Sequence, residues 1–305
     1  FHAYFTPFVF VVGIIGNCLS LGVFLSKSMR HLSASTYLSA LSVTDLIALL
    51  FYVLVEWLIR GYPVISSSSS PITFINFTGM CQVIMYLHYV SRFMSSWLVV
   101  AFTIERYIGV CHPFRRRHIC SLAVTRRIVM GIVVLSFLFN IFKPLLSVVQ
   151  HVDLHGQMCT TDPRHRLLSF ILDSFYAVSI TFFPFVVITV LNICIIRQLY
   201  LHNRQQRIFR VVTQVSVIHL EFTSILLVVS FCFIAFNLPY FATWCKLFLT
   251  SNFIRLSKVE ELHDLDYFRG VALFTRAIYY ANYCINFFLY SITGAYFRRG
   301  LKNLF

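Results

Sequence analysis

A glutamate and an arginine stand side by side near the end of an apolar stretch, at Glu105 and Arg106, and Tyr107 follows them. A carboxylate and a guanidinium at such a boundary are expensive to bury, so they indicate a functional switch rather than packing. The alternative is a boundary arginine whose side chain reaches towards water. We predict that Arg106 is the moving part of the switch and that Glu105 neutralises it at rest.

A second carboxylate, Asp45, falls in the middle of another apolar stretch, where an unpaired charge is costly. It therefore needs polar partners from other parts of the chain. The residues expected to converge on it are Asn17, Ser95, Asn282 and Asn286.

Four more charged residues lie within or near one end of apolar stretches: Glu56, Arg92, Lys143 and Arg276. One interpretation is mutual pairing, for instance of Glu56 with Arg92 or Arg276. The other is contact with a charged or amidated peptide end, beside an aromatic wall. The predicted ligand-binding residues are Glu56, His88, Arg92, Tyr240, Arg276, Tyr279 and Tyr280.

The composition predicts the element type that must position these residues. Hydrophobic residues make up 58% of the 305, charged residues 12%, and the mean hydropathy is +0.78. Soluble domains are about half apolar and about a quarter charged, so the bilayer is the expected solvent. Because the chain starts at Phe1 with no signal-like stretch before the first apolar segment, we interpret it as a fragment trimmed at both tails.

Seven apolar stretches predict an all-α membrane bundle with a short amphipathic C-terminal helix. The spans are expected near 3–26, 35–60, 78–110, 123–149, 167–200, 211–246 and 268–293, and the amphipathic helix near 295–305. Basic residues cluster on one side, in 27–30, 115–127, 197–210 and 298–302. The positive-inside rule places that side in the cytoplasm and the N-terminus outside, at the plasma membrane. The net charge is +14, and the basic excess then faces anionic lipid rather than nucleic acid.

Cys81, at the outer end of the third span, and Cys159, in the middle of the outer 150–166 loop, both fall on the predicted outer side. In an oxidising compartment they are expected to form a disulfide that holds this loop over the bundle mouth. Cys245 is a third outer cysteine, expected to stay unpaired. Asn76, in Asn-Phe-Thr, is a glycosylation acceptor on the same side, and its occupancy is left open.

Motifs in seven-helix order carry a family resemblance. They are Gly16-Asn17, the segment 41–46, Cys81, Glu105-Arg106-Tyr107, Cys111-His112-Pro113, Pro184, the segment 233–239 and the segment 286–290. Over essentially its whole length the chain resembles rhodopsin-like (class A) G-protein-coupled receptors. It also loosely resembles the invertebrate FMRFamide-like neuropeptide receptors.

The resemblance implies roles for the inner face and for the Asp45 cluster. On activation Arg106 would be freed to meet a heterotrimeric G protein, with Tyr107 and Tyr290 beside it and Glu221 as a candidate second partner. The Asp45 cluster would bind a sodium ion through Asp45 and Ser95. The alternatives are a hydrogen-bonded cluster without an ion, or a protonated Asp45.

Departures from the family pattern reduce the number of expected ligand classes. His88 stands where amine receptors carry an aspartate, and Tyr280 stands where opsins carry the retinal-linked lysine, so neither ligand class is expected. Asn237 replaces a tryptophan in the sixth span, and Phe287 replaces the proline of the Asn-Pro motif in the seventh. These two changes put the usual description of the switch in doubt.

The sequence therefore predicts a neuropeptide receptor, with no enzyme site and no cofactor beyond the possible sodium ion. One alternative is a receptor for a lipid or small acid whose carboxylate binds Arg92 or Arg276. The acidic segment 260–266 favours basic peptides over such anions. A transporter or channel is the remote alternative, disfavoured because polar residues cluster at Asp45 and at the two ends instead of lining a path.

Overall fold

The structure is a computed structural model of the 305-residue chain. It describes residues 1–66, 77–112, 119–152, 156–206, 214–253 and 261–304. The predicted acceptor Asn76, most of the loop after Cys111 and the last residue of the amphipathic tail lie outside these ranges. Helices dominate the described residues, and the single sheet found in them is a two-stranded hairpin.

Long apolar helices follow one another along the chain. Span one is His2–Leu25; span two is Ser33–Ala48, a π-helical turn Leu49–Leu54, Val55–Arg60 and Tyr62–Ser66; and span three is Met80–Cys111. Span four is Leu122–Phe139 and Phe142–Leu146; span five is a 3₁₀ turn Pro163–His165, Arg166–Ala177, a π-helical turn Val178–Phe182 and Phe183–Gln206; and span six is Gln214–Phe253. Span seven is Glu261–Ala281 and Asn286–Thr293, and Ala295–Lys302 is the C-terminal helix.

Within the described ranges, six helices are long and apolar enough to cross a membrane, and they belong to spans one to six. Span seven starts in a charged stretch, where acidic and basic residues alternate with apolar ones. Four residues, Asn282–Ile285, then separate its two helices. Their amides bond the third or fourth carbonyl back, for example Asn282 N to Tyr279 O at 3.1 Å and Ile285 N to Ala281 O at 3.0 Å. The span is therefore interrupted by a tight turn although Phe287 replaces the family proline.

Spans two, five and six extend to Ser66, Gln206 and Phe253, beyond their predicted ends at 60, 200 and 246. Two other boundaries differ from the predicted ones for physical reasons. Span four contains Pro144, which has no amide hydrogen for the carbonyl of Asn140, and the helix is broken at Asn140–Ile141. It ends at Leu146, before the predicted boundary at 149, because strand β1 begins at Ser147. Span seven begins at Glu261 rather than near 268, since its helix continues through the charged stretch.

The segment predicted as a loop near 150–166 contains a β-hairpin that the sequence did not indicate. Strand β1, Ser147–Val152, pairs antiparallel with β2, Gly156–Thr161, and Val149 lies opposite Cys159. Cys159 forms a disulfide with Cys81, as predicted. We call the end of the bundle that carries this bridge the disulfide end, and the opposite end, which carries Arg106, the Arg106 end.

The start of span three is adapted to the hairpin. Gly79 has φ +90°, which a residue without Cβ adopts at no steric cost. Its amide donates to Gln82 Oε1 at 2.6 Å, and Gln82 Nε2 donates to Ser147 O at 3.1 Å. The helix start is therefore tied to β1 as well as to β2.

The C-terminal helix packs against the bundle through its apolar face. Phe297 is buried among Phe24, Phe287 and Tyr290, with ring centroids 5.3–6.0 Å away. Gly300 lies so close to span one that an added Cβ would meet Val23 Cγ1 at 2.8 Å. The predicted amphipathic helix is therefore present over Ala295–Lys302.

Candidate functional site

A cluster of buried tyrosines fills the disulfide end between spans two, three and seven. Tyr52, Tyr279, Tyr280 and Tyr283 are each at most 4% exposed. Tyr52 belongs to the π-helical turn of span two, where one extra residue per turn changes the direction of the side chains. Its ring stacks on that of His88 at a centroid distance of 4.0 Å and meets Tyr280 edge to face at 5.1 Å. The predicted residues His88, Tyr279 and Tyr280 thus lie together, around Tyr52, which sequence reasoning missed.

Arg92 lies in the middle of this cluster. Its Nε donates to the hydroxyl of Tyr279 at 2.9 Å, and its Nη1 lies 3.4 Å from Nε2 of His88. Its guanidinium carbon lies 5.0 Å from the ring centroids of both Tyr52 and Tyr279, within the range of cation–π attraction. Ring faces and neutral polar atoms therefore surround this cation.

Glu56 and Arg276 form an ion pair across spans two and seven. Glu56 Oε2 accepts from Arg276 Nη1 at 2.6 Å and from Arg60 Nε at 2.7 Å. Of the two predicted pairings of Glu56, the described ion pairs include the one with Arg276 and not the one with Arg92. Arg276 also lies 5.6 Å from the ring centroid of Tyr240, and that ring stacks on Tyr279. The pair is therefore joined to the tyrosine cluster.

Lys143, predicted as a pocket cation, is engaged by a carboxylate that sequence reasoning missed. Its Nζ lies 2.9 Å from both oxygens of Asp173 in span five. The hydroxyls of Tyr89 and Ser169 donate to the same carboxylate at 3.0 and 3.3 Å. A lone acid early in an apolar span was the available signal, because a buried charge requires a partner. The role of Lys143 in this structure is to join spans three, four and five.

Two of the four residues predicted around Asp45 contact it. Ser95 Oγ donates to Oδ1 at 3.2 Å, and Asn286 Nδ2 donates to Oδ2 at 2.7 Å. Asn17 instead donates to the carbonyls of Gly13 and Tyr283 at 2.9 and 2.7 Å. Asn282 is buried in the turn of span seven, and its described hydrogen bond joins its backbone amide to Tyr279.

The donor set at Asp45 fits a small monovalent cation. The carboxylate is 1% exposed, and the side chains that donate to it are neutral. No basic side chain of the described ranges forms an ion pair with it. The Ser95 hydroxyl keeps lone pairs for a metal ion, as does the Asn286 side-chain carbonyl. No group of three or more His, Cys, Asp or Glu with metal-ligand geometry was found in the described part of the chain.

Hydrogen bonds and the backbone of span seven connect the tyrosine cluster to Asp45. Arg92 bonds the hydroxyl of Tyr279, which bonds that of Tyr283. The carbonyl of Tyr283 accepts from Asn17, and Asn286 bonds Asp45 just past the turn. The turn Asn282–Ile285 thus lies between the tyrosine cluster and Asp45.

At the Arg106 end, Glu105 is the centre of a buried polar group. It pairs with Arg106, and both side chains are 5% exposed. Ser33 Oγ donates to Oε1 at 2.7 Å, and Thr125 Oγ1 donates to Oε2 at 3.0 Å. Sequence reasoning missed Ser33 and Thr125, which tie Glu105 to the starts of spans two and four.

The other residues predicted at this end make separate contacts. Tyr290 packs edge to face on Phe24 at 5.2 Å, and the ring of Tyr107 meets that of His112 at 5.5 Å. Glu221, the candidate second partner of Arg106, instead accepts from the backbone amide of Tyr296 at 2.5 Å. Span six is therefore connected to the C-terminal helix by this carboxylate, and no described ion pair joins it to Arg106.

Comparisons with known proteins agree with this architecture. The family model for the seven-transmembrane receptors of the rhodopsin family matches residues 16–290. The chain belongs to this family of receptors and is a multi-pass membrane protein. The predictions of an all-α receptor bundle and of the Cys81–Cys159 disulfide are confirmed.

Several curated receptors are similar to the chain. The thyrotropin-releasing hormone receptor of Gallus gallus is 32% identical over 119 residues, which are 39% of this chain and 28% of that receptor. The galanin receptor 2a of Danio rerio is 21% identical over 97% of this chain and 76% of its own length. The FMRFamide receptor of Drosophila melanogaster is 24% identical over 95% of this chain and 51% of its own length. The matched part is thus under a third of the first of these receptors.

Proposed function

We propose that the chain is the receptor core of a plasma-membrane neuropeptide receptor that activates a heterotrimeric G protein. The observation that carries this proposal is the charged tyrosine cluster at the disulfide end of a rhodopsin-family bundle. It offers cations, a carboxylate and aromatic faces within one region, which suits the mixed chemistry of a peptide. The similar receptors named for galanin and FMRFamide, which align over nearly the whole chain, support the same class of ligand.

In the proposed mechanism the disulfide end and the N-terminus face outside and the Arg106 end faces the cytoplasm. The basic residues near the Arg106 end support this orientation through the positive-inside rule. A peptide that binds one arrangement of the tyrosine cluster more tightly shifts the population towards that arrangement. The turn of span seven passes the change to Asp45, where we propose that sodium favours the resting state.

At the cytoplasmic end the proposed event is the opening of the group around Glu105. Arg106 leaves Glu105, span six moves from the C-terminal helix, and a helix of the G protein enters the cleft. Because Glu105 is also held by Ser33 and Thr125, it stays satisfied when the arginine departs. Within this group, only the contacts of Arg106 then have to break, and the bonds of Ser33 and Thr125 to Glu105 stay in place.

The test is a G-protein activation assay in cells that express the receptor. A panel of amidated neuropeptides, small acids and lipids is applied to wild type and to Arg106→Ala at matched surface level. The proposal predicts that a peptide activates the wild type at nanomolar concentration. A response confined to an acid or a lipid would replace it by the alternative of a receptor for small anions.

A further inference from the structure

The buried charges at the disulfide end are unevenly paired. Within the described side chains, Glu56 is engaged by Arg276 and Arg60, and Asp173 is engaged by Lys143. Arg92 has no carboxylate within ion-pair distance among them. Its hydrogen-bond partners are the Tyr279 hydroxyl and His88. One cation in the centre of the cluster is thus left without an anion of this part of the chain.

The guanidinium of Arg92 has N–H donors that its described contacts do not use. A guanidinium carries five N–H donors in a planar fork that matches a carboxylate with two parallel bonds. The contacts described above use Nε and Nη1, which leaves the hydrogens of Nη2 without a described acceptor. The rings of Tyr52, Tyr176 and Tyr279, with centroids 5.0–5.9 Å from the guanidinium carbon, hold the group in place without neutralising it.

The neighbouring cations are less able to bind a ligand anion. Arg276 is already bound to a carboxylate oxygen at 2.6 Å, and Lys143 is bound to two at 2.9 Å. A ligand anion at either position would have to displace a carboxylate of the protein. At Arg92 it would displace neutral groups at most, which favours Arg92 over both.

We propose that the ligand of this receptor carries a carboxylate and that Arg92 binds it, between the faces of Tyr52 and Tyr279. In a peptide the carboxylate comes from an acidic side chain or from a free C-terminus; in a small acid it is the molecule's own. The inference rests on the proposed function for the peptide source only. The anion site is defined by residues of the chain and holds for either source.

The experiment uses two probes that differ only in the charged group, 3-phenylpropanoate and 3-phenylpropanamide. The melting temperature of the purified full chain in lipid nanodiscs is measured as each probe is titrated. The expected result is a saturable rise with the carboxylate and a smaller rise or none with the amide. Arg92→Gln should lower the apparent affinity for the carboxylate about ten-fold or more, as for a lost charged hydrogen bond.

Two further variants make the result specific. Arg60→Gln is the matched control, because it removes a neighbouring arginine that pairs with Glu56 but leaves Arg92 and Arg276 in place. The difference between the two probes in this variant should equal that of wild type. Arg92→Lys keeps the charge without the planar fork, so it should keep part of the selectivity.

Equal effects of acid and amide on wild type would overturn the proposal without reference to any variant. Unchanged selectivity in Arg92→Gln would overturn it as well.

The proposed anion site and the proposed peptide receptor can fail independently of each other. Carboxylate selectivity that depends on Arg92, together with activation by acids and by no peptide, would support the anion site and contradict the peptide receptor. Activation by a peptide that is equally potent with its carboxylates amidated would support the peptide receptor and contradict the anion site.

Discussion

Several charged side chains lie within the apolar spans of this molecule. Glu56, Lys143 and Arg276 each have an oppositely charged partner in another span. A charge removed from water is costly without such a partner, because desolvation alone costs several kcal/mol. The sequence identified these residues as costly, since each is a charge in an apolar stretch. It offered Arg92 and Arg276 as partners of Glu56 and could not choose between them, because pairing depends on how each helix is rotated about its axis.

The pair Glu56–Arg276 leads to an asymmetric prediction for two substitutions. Glu56→Gln leaves Arg276, whose side chain is 17% exposed, without a carboxylate partner, so the free energy of unfolding should fall by about 2 kcal/mol. Arg276→Gln should cost less, because Glu56 keeps its bond to Arg60. The double variant should be more stable than Glu56→Gln alone. Thermal unfolding of the purified variants measures this.

Arg60→Gln is the control, since this side chain is 49% exposed and its ion pair should contribute little. A double variant no more stable than Glu56→Gln would mean that Arg276 is satisfied by something other than Glu56.

Elements of the chain are connected by contacts that the spans alone do not indicate. Apolar length and charge placement predicted the helices near their observed positions. The π-helical turns, the hairpin and the turn Asn282–Ile285 could not be predicted in the same way. Each is a local departure from the regular helix or loop, stabilised by contacts between distant segments. The hairpin, for example, is anchored through Cys159 and Ser147 to the start of span three.

The disulfide is the covalent part of that anchor. Cys159→Ser opens a loop whose ends are 78 residues apart, which should lower the free energy of unfolding by about 4 kcal/mol. Surface expression should fall sharply, as measured with an antibody against a tag outside the spans. Cys245→Ser is the matched control, because this cysteine is a free thiol in the structure. Normal expression of Cys159→Ser would show that the hairpin holds its place without the bridge.

A second contact between elements joins span six to the C-terminal helix. Glu221 accepts from the amide of Tyr296, near the helix start at Ala295. If span six moves outwards on activation, this bond must break. Glu221→Ala should therefore favour the open state by about 1 kcal/mol, which raises ligand-independent nucleotide exchange about five-fold.

Glu221→Gln separates the hydrogen bond from the charge, since its amide oxygen still accepts. It should stay close to wild type in the same assay. Equal basal activity in all three proteins would mean that span six does not leave the helix start.

The tyrosine cluster lies at the disulfide end of the molecule, and the Glu105–Arg106 ion pair lies at the Arg106 end. Asp45 lies between them. Asp45→Asn removes the charge that a sodium ion requires but keeps hydrogen-bonding groups for Ser95 and Asn286. Agonist affinity measured in sodium chloride and in N-methyl-glucamine chloride should differ in wild type and be equal in the variant. An unchanged sodium effect in Asp45→Asn would place the ion elsewhere and leave a structural polar cluster.

For the molecule as a whole, the sequence predicted the receptor family but did not identify the ligand. The motifs from Asn17 to Tyr290 are spread over six of the seven spans, so their order survives small errors in any boundary. Ligand recognition depends instead on a few side chains brought together by the fold. The contact of Arg92 with Tyr52, which belongs to the π-helical turn of span two, is an example within the proposed ligand site.

The most direct measurement of the central claim is nucleotide exchange on a purified G protein, with the receptor in nanodiscs and an active peptide bound. The wild type should accelerate exchange when the peptide is added. Arg106→Ala should bind the peptide but leave exchange at its basal rate, because the guanidinium that meets the G protein is gone. Peptide-stimulated exchange by Arg106→Ala at the wild-type rate would contradict the account.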